Sequence, residues 1–279
     1  MKEIGESEIS EAVRNLCIEA NCVLSEDVIS ALQNAKNIEE SPIGKDIIGL
    51  LLENVRVAKD EMLPICQDTG VAVFFVEIGA GVKVNGNLRT AINEGVKRGY
   101  ADGYLRKSML KSPLDRVNTG DNTPAIIHFD LVPGDRLKIT MLPKGGGSEN
   151  MSRLKMLTPS EGWEGVKRMV VGTVLDAGSN PCPPIVVGVG IGGNFELAPL
   201  LAKKALIRDV GKHNPDPKIA ALEDELLKEV NKTGIGPQGL GGRVTALALN
   251  IEVYPCHITA LPVAVNIECH AHRHKEVVL

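Results

Sequence analysis

Three observations predict a mixed α/β (α+β) fold with a helical N-terminal part. Apolar residues recur at three- and four-residue spacing through residues 7–60. Beyond Pro64, apolar runs rich in β-branched residues alternate with polar helical stretches. The 29 glycines and 16 prolines of the 279-residue chain gather between these runs rather than in low-complexity tracts, which marks ordered loops.

In the first part, Ile9, Val13, Leu16, Cys17 and Ala20 form one apolar stripe, and Ser41-Pro42 reads as an N-cap followed by proline at the first helical position. Cys17 and Cys22 belong to this region and read as packing residues. Val71–Ile78 predicts a strand, and Leu88–Leu110 a polar helix. Ala125–Val132 and Leu137–Leu142 predict two strands separated by the turn Pro133-Gly134-Asp135. Thr158 or Ser160 caps a helix running to Ala177, Ile185–Val189 reads as a short buried strand, and Phe195–Arg208 as a helix. Pro215-Asp216-Pro217 interrupts the chain before an amphipathic helix at Lys218–Lys232. Two extended runs, Thr245–Tyr254 and Ile258–Glu268, lead to a His-rich tail. With no internal repeat and no flexible linker, residues 1–279 read as a single domain, helical over 1–62 and mixed α/β over 63–279.

Charge and composition narrow the function. The 31 Lys+Arg against 35 Asp+Glu give a net charge of -4, and aromatics are only 3%. There is neither a basic excess for a polyanion nor a stock of rings for base stacking, so nucleic acid is not an expected partner. A 43% hydrophobic content without a long apolar run argues for a soluble chain rather than a membrane protein. The opening MKEIGESEIS has the character of no secretory signal, so a cytoplasmic, reducing location is expected. There, six cysteines read as thiols or metal ligands rather than as a disulfide framework.

Gly188-Val189-Gly190-Ile191-Gly192-Gly193 satisfies G-x-G-x-x-G, the fingerprint of a dinucleotide loop. Against that reading, the preceding strand is short and follows Asn180-Pro181-Cys182-Pro183-Pro184, and no second βαβ half is visible. The alternative is a tight strand-to-helix turn. Lys144-Gly145-Gly146-Gly147-Ser148-Glu149-Asn150 has the wrong order for a P-loop, but its triple glycine lets backbone N–H groups converge on an anionic oxygen. Cys66, Cys182 and Cys269 share a setting in loops or at strand ends, yet lie too far apart in sequence for a zinc ribbon or a ferredoxin run. Brought together by a fold, three thiolates suit a [4Fe–4S] cluster with one iron left without a protein ligand. His270, His272 and His274 alternate, and in an extended segment would face one way for a metal; otherwise they belong to a solvated tail. Cys256 and His257 adjoin, but neighbours in a strand point to opposite faces.

Taken together, ICQDTG at 65–70, YLRKS at 104–108, NTGDNTPA at 118–125, PKGGGSENMS at 143–152, NPCPPIVVGVGIGG at 180–193, GIGPQGLGG at 234–242 and LPVAVNIECHAHRH at 261–274 cover essentially the whole chain. In this order they resemble the α-type, N-terminal domain of the iron–sulfur hydro-lyases, class I fumarate hydratase and L(+)-tartrate dehydratase. The resemblance implies that Cys66, Cys182 and Cys269 hold a [4Fe–4S] cluster whose open iron serves as a Lewis acid. It places Gln67 and Asp68 beside the substrate, with Asp68 assisting removal of a C–H proton. Arg106 would clamp a substrate carboxylate, Gly147 would offer its backbone N–H, and His257 carries over as a histidine near the active site. Where single-chain relatives read LRYS, this chain has LRKS, so Lys107 receives no role. Single-chain enzymes continue into a second domain that supplies the threonine base and further cationic groups. The resemblance therefore implies the alpha subunit of a hetero-oligomer that needs a beta subunit for turnover. The activity implied is hydration of fumarate to L-malate, a reaction of the tricarboxylic acid cycle, with tartrate dehydration to oxaloacetate as the alternative. An iron–sulfur electron carrier would have no use for Arg106 and Asp68, and a dinucleotide-dependent oxidoreductase would rest on the 188–193 segment alone.

Overall fold

A computed structural model describes residues 2–279. The chain opens with strand β1 (Lys2–Gly5) and helices α1 (Glu6–Cys22), α2 (Glu26–Ile38) and α3 (Pro42–Glu61). The Ser41 hydroxyl accepts the Gly44 N–H at 3.2 Å, so Ser41-Pro42 starts α3 as its residue types require. There follow β2 (Val71–Gly79), β3 (Val82–Asn85), α4 (Leu88–Asp102), β4 (Ile126–Val132), β5 (Leu137–Lys144) and the single turn α5 (Gly146–Glu149). Then come β6 (Arg153–Leu157), α6 (Gly162–Ala177), β7 (Ile185–Gly193), α7 (Leu197–Ala205) and α8 (Pro217–Asn231), and finally β8 (Ala246–Cys256), β9 (Leu261–Glu268) and β10 (Lys275–Val278). Among the described residues no helix is long and apolar enough to cross a membrane.

Helix α4 stops well short of Leu110. Tyr104 takes a left-handed conformation (φ 52°), and the Asn122 side chain accepts the N–H groups of Ser108 and Met109 at 2.6 and 3.1 Å. Donors that a further helical turn would have used are thus satisfied in an irregular segment.

The chain packs as two compact units, each made of separated segments. The first comprises residues up to Ser25, Asn54–Gly146 and Arg273–Leu279; the second comprises Glu26–Glu53 and Gly147–His272. In the first unit a four-stranded sheet runs β10-β5-β2-β4. β5 is antiparallel to both neighbours and β4 is parallel to β2. Its core joins Phe74 and Val76 of β2 to Ile9, Val13 and Cys17 of α1 and to Ile92 and Val96 of α4. Gly95 and Gly99 let α4 approach α1: a Cβ there would stand 2.6 Å from the Val13 Cβ or 2.7 Å from the Cys17 Cβ. Cys17 is accordingly a packing residue, and burial pushes its thiol well above the ordinary range. The tail is no solvated end: Lys275–Val278 pairs with Met141–Lys138 of β5.

In the second unit the sheet order is β6-β9-β7-β8, with β7 parallel to β8 and antiparallel to β9. Thr158 forms a capping box with Glu161 ahead of α6, and Asp216 accepts the Lys218 N–H at 2.8 Å to start α8. Val166, Val170 and Val174 of α6 and Leu226 of α8 close the core over Val187, Val189 and Val265. The glycine motif at 188–193 lies inside β7 rather than in a strand-to-helix turn. A Cβ at Gly188 would lie 2.1 Å from the Ala202 carbonyl oxygen, and one at Gly190 the same distance from that of Ala198. These glycines bring α7 onto the strand, and the turn that a dinucleotide site requires is absent there.

Candidate functional site

The segment ICQDTG connects α3 to β2 and is held almost wholly through its main chain. The Ile65 N–H donates to the Asn21 carbonyl at 2.9 Å, and its carbonyl accepts from the Asn54 side chain at 2.8 Å. Cys66 is half-buried, with the Asp68 N–H 3.4 Å from its Sγ. Asp68 is gripped at both oxygens: Oδ1 accepts the Gly70 N–H at 3.0 Å, and Oδ2 accepts the Gly146 N–H at 2.7 Å. Gly70, at φ 73°, passes so close to Lys144 that a Cβ would meet its main chain at 2.7 Å, which only glycine tolerates.

The carbonyls of this loop are taken up from behind by buried donors. Arg273 Nη2 donates to the Asp68 carbonyl at 3.0 Å and Nη1 to Asn21 Oδ1 at 3.1 Å. The Tyr100 hydroxyl donates to the carbonyls of Thr69 and Gly70 at 2.7 and 3.1 Å, and Asn122 adds a bond to the latter at 3.2 Å. Burial raises the Tyr100 pKa far above the usual phenol value, so it stays a donor. The Thr69 hydroxyl donates to the Arg106 carbonyl at 2.9 Å. The first unit therefore brings Cys66, Gln67, Asp68 and Arg106 into one bonded neighbourhood, with Gln67 and Arg106 exposed.

In the second unit β7 begins just after Cys182 and runs antiparallel to β9, which ends just before Cys269; Val186 stands opposite Glu268. Sheet topology thus delivers both cysteines to one end. His270 ties them, its N–H and its Nδ1 lying 3.3 and 3.0 Å from the Cys182 carbonyl. The GIGPQGLGG segment braces the same loop: the Gln238 N–H and side-chain amide donate to the Pro183 carbonyl at 2.7 and 2.8 Å. Gly147 lies against this loop, where a Cβ would be 3.2 Å from the Asn180 carbonyl oxygen. Cys182 is exposed and left-handed (φ 54°), a conformation that non-glycine residues adopt sparsely and that clusters at functional loops.

His257 does not join them. It sits exposed in the turn between β8 and β9, with Nδ1 2.9 Å from the Thr259 hydroxyl. The whole of β9 separates it from Cys269, about 25 Å for a strand of this length. The neighbouring Cys256 Sγ turns to the Ala260 carbonyl at 3.2 Å. Nor do the tail histidines form a common face: His270 serves the Cys182 loop and His272 is buried.

Cys66, Cys182 and Cys269 fit an iron–sulfur cluster as a donor set. All three are cysteines outside any disulfide, at loop or strand ends and at least partly exposed, while Cys17 and Cys22 are buried and burial raises their thiol pKa values. The Asp68 N–H aimed at the Cys66 sulfur is of the kind by which proteins tune such clusters. Among the described residues no group of three His, Cys, Asp or Glu side chains is placed to hold a single metal ion. Arg273, Tyr100, Asn122 and Gln238 escape a reading of the sequence because they act on distant main-chain carbonyls and leave no local spacing signal.

A family model described as fumarate hydratase (Fumerase) matches residues 10–278. The chain is 45% identical over 272 residues to a Methanocaldococcus jannaschii protein provisionally named L(+)-tartrate dehydratase subunit alpha, covering 95% of each. It is 36% identical over 276 residues to the L(+)-tartrate dehydratase subunit alpha of Escherichia coli strain K12, covering 98% of this chain and 91% of that one. The corresponding protein of Shigella sonnei matches to the same extent.

Proposed function

The chain belongs to the fumarate hydratase (Fumerase) family, and from that premise we propose that it is the cluster-bearing alpha subunit of a two-chain hydro-lyase that interconverts fumarate and L-malate. The observation that carries this reading is the fixed Asp68 carboxylate, held by Gly70 and Gly146 beside Cys66 in a loop bonded to the Arg106 segment. A [4Fe–4S] cluster on Cys66, Cys182 and Cys269, when bound, supplies an iron open as a Lewis acid toward the substrate's hydroxyl and carboxylate.

The chain's own residues do the remaining work. The Arg106 guanidinium grips a carboxylate of the diacid with paired N–H donors, and the Gln67 side chain and the Gly147 N–H bond its other oxygens. Asp68, oriented through both oxygens, assists removal of the proton from the carbon next to the hydroxyl-bearing one. No net redox change is involved. The names of the alpha-subunit relatives support a beta subunit as partner, which completes the proton transfer and the grip on the diacid. Six free cysteines support a reducing, cytoplasmic setting.

The relatives' names favour a second reading, L(+)-tartrate dehydrated to oxaloacetate. The two substrates differ by a hydroxyl, which a site built to bond it separates strongly. Anaerobic reconstitution with iron and sulfide, addition of the beta chain, and assay with malate, fumarate and L(+)-tartrate rank the readings by kcat/KM. About four irons per chain are expected, and Cys182→Ser should lose them together with activity. A full cluster in that variant removes Cys182 from the ligand set; turnover of none of the three acids overturns the proposed reaction.

A further inference from the structure

The segment that carries Arg106 has no regular structure of its own. Helix α4 ends at Asp102, Tyr104 is left-handed and 91% exposed, and Arg106 itself is exposed. Two side chains of the first unit tie this segment to the loop bearing Asp68. The Thr69 hydroxyl donates to the Arg106 carbonyl at 2.9 Å. Asn122, fully buried, spans from one loop to the other. Its Oδ1 accepts the N–H groups of Ser108 and Met109 at 2.6 and 3.1 Å, and its Nδ2 donates to the Gly70 carbonyl at 3.2 Å. Gly70 in turn gives its own N–H to Asp68 Oδ1 at 3.0 Å. A side-chain amide suits this place, because one of its atoms accepts two bonds while the other donates. The backbone at Asn122 is left-handed (φ 62°), a conformation in which asparagine is enriched. Next to it the Asp121 carboxylate holds the turn by accepting the Thr123 N–H and hydroxyl at 3.0 and 2.7 Å. The amide is thus fixed in place before it bonds either loop.

We propose that Asn122 is a positioning residue: it sets the spacing between the Asp68 carboxylate and the Arg106 guanidinium, and through that spacing selects diacids by length. The inference rests on the reading that Arg106 grips a carboxylate of the substrate while Asp68 assists proton removal. The two loops differ in what else holds them. Without the Asn122 side chain the Gly70 carbonyl keeps the Tyr100 hydroxyl, and Asp68 keeps the Gly70 and Gly146 N–H groups and, at its carbonyl, Arg273. Ser108 and Met109 lose the acceptor they share, two and three residues beyond Arg106. The displacement therefore falls on the guanidinium and leaves the carboxylate aimed. Misplacing a group that orients the substrate by about 1 Å costs on the order of 10²-fold. Fixed spacing also penalises an acid one methylene too long, by about tenfold or more, and a loosened Arg106 segment gives that penalty up.

The test uses the reconstituted two-chain enzyme, with succinate and glutarate, saturated diacids of four and five carbons, as competitive inhibitors. Asn122→Gly deletes the amide without straining the left-handed backbone. In the parent enzyme succinate should bind about tenfold or more tighter than glutarate. In the variant that ratio should fall toward one, and kcat/KM should drop by about 10²-fold, chiefly through KM, with iron content and far-UV circular dichroism unchanged. Should Asn122→Gly not fold, Asn122→Asp carries the test. It keeps the size and the acceptor for Ser108 and Met109, replaces the donor to Gly70 by an acceptor, and should narrow the ratio in the same way. A variant that loses kcat while KM and the inhibitor ratio stay at parent values overturns the inference, since fewer active molecules would discriminate as before. A parent enzyme that binds the two inhibitors equally also overturns it. Failure of the underlying reading looks different: the parent itself then turns over no diacid, or Arg106→Ala leaves its KM unchanged, and the spacing role falls with it.

Discussion

Asp68 shows how a reactive side chain is made rigid without a partner side chain. Two backbone N–H groups hold its oxygens and Arg273 holds its carbonyl, so the carboxylate is aimed before any substrate arrives. Asp68→Asn keeps the size and, on the proposed reading, removes the carboxylate that assists proton removal. In the reconstituted two-chain enzyme kcat should fall by about 10²–10⁴, with KM and iron content little changed; steady-state kinetics and iron analysis check this. Gly188 gives a residue-scale prediction of another kind. Gly188→Ala would drive a methyl to 2.1 Å from the Ala202 carbonyl oxygen, and should cost about 1–3 kcal/mol in urea unfolding by pushing α7 off β7. The roles of these residues differ in how far a sequence exposes them. Cys66 and Asp68 sit in a compact motif whose residue types announce chemistry. Arg273 lies next to the alternating histidines and reads as part of a tail, because its bonds go to carbonyls and an amide remote in the chain.

Among the elements, strands and helices with strong periodicity were legible: β2, β4, β5, α6, α8 and β8 stand close to where their apolar patterns place them. β7 is longer than its pattern suggests, since glycine-rich sequence normally ends a strand, and here the close approach of α7 overrides that tendency. β1, β3, β6 and β10 are short strands whose pairing depends on partners distant in sequence, which local patterns cannot register. The junction of α2 and α3 supplies a pH-dependent prediction. Burial alone would raise the pKa of Glu39, but backbone N–H bonds from Arg243, Ser41, Val244 and Glu40 outweigh it and hold the carboxyl below its ordinary value. The unfolded chain therefore takes up this proton at higher pH than the folded one. The stabilisation is complete above the ordinary carboxylate range and is lost as the pH falls through it, below about pH 5. Glu39→Gln should lower Tm at pH 7 and flatten the decline of Tm toward pH 3, measured by circular dichroism at a series of pH values.

For the whole molecule, composition gives no sign of two compact units, because none of the four crossings between them carries a linker. They fall after Ser25, between α1 and α2; inside α3, between Glu53 and Asn54; within the glycine run, between Gly146 and Gly147; and in the His-rich segment, between His272 and Arg273. The first unit also takes one edge strand of its four-stranded sheet, β10, and Arg273 from residues 273–279. Removing those residues deletes little mass but should leave β5 without β10 and the Asp68 carbonyl without its buried donor. Trypsin should then cut within residues 54–146 sooner than in the full chain, read by mass spectrometry of the fragments. That closing role of the last segment orders events during synthesis. A ribosome must deliver Arg273 before the loop bearing Cys66 acquires its final brace, so that loop stays unbraced while residues 71–272 are being made. Its maturation thereby waits on a residue far downstream.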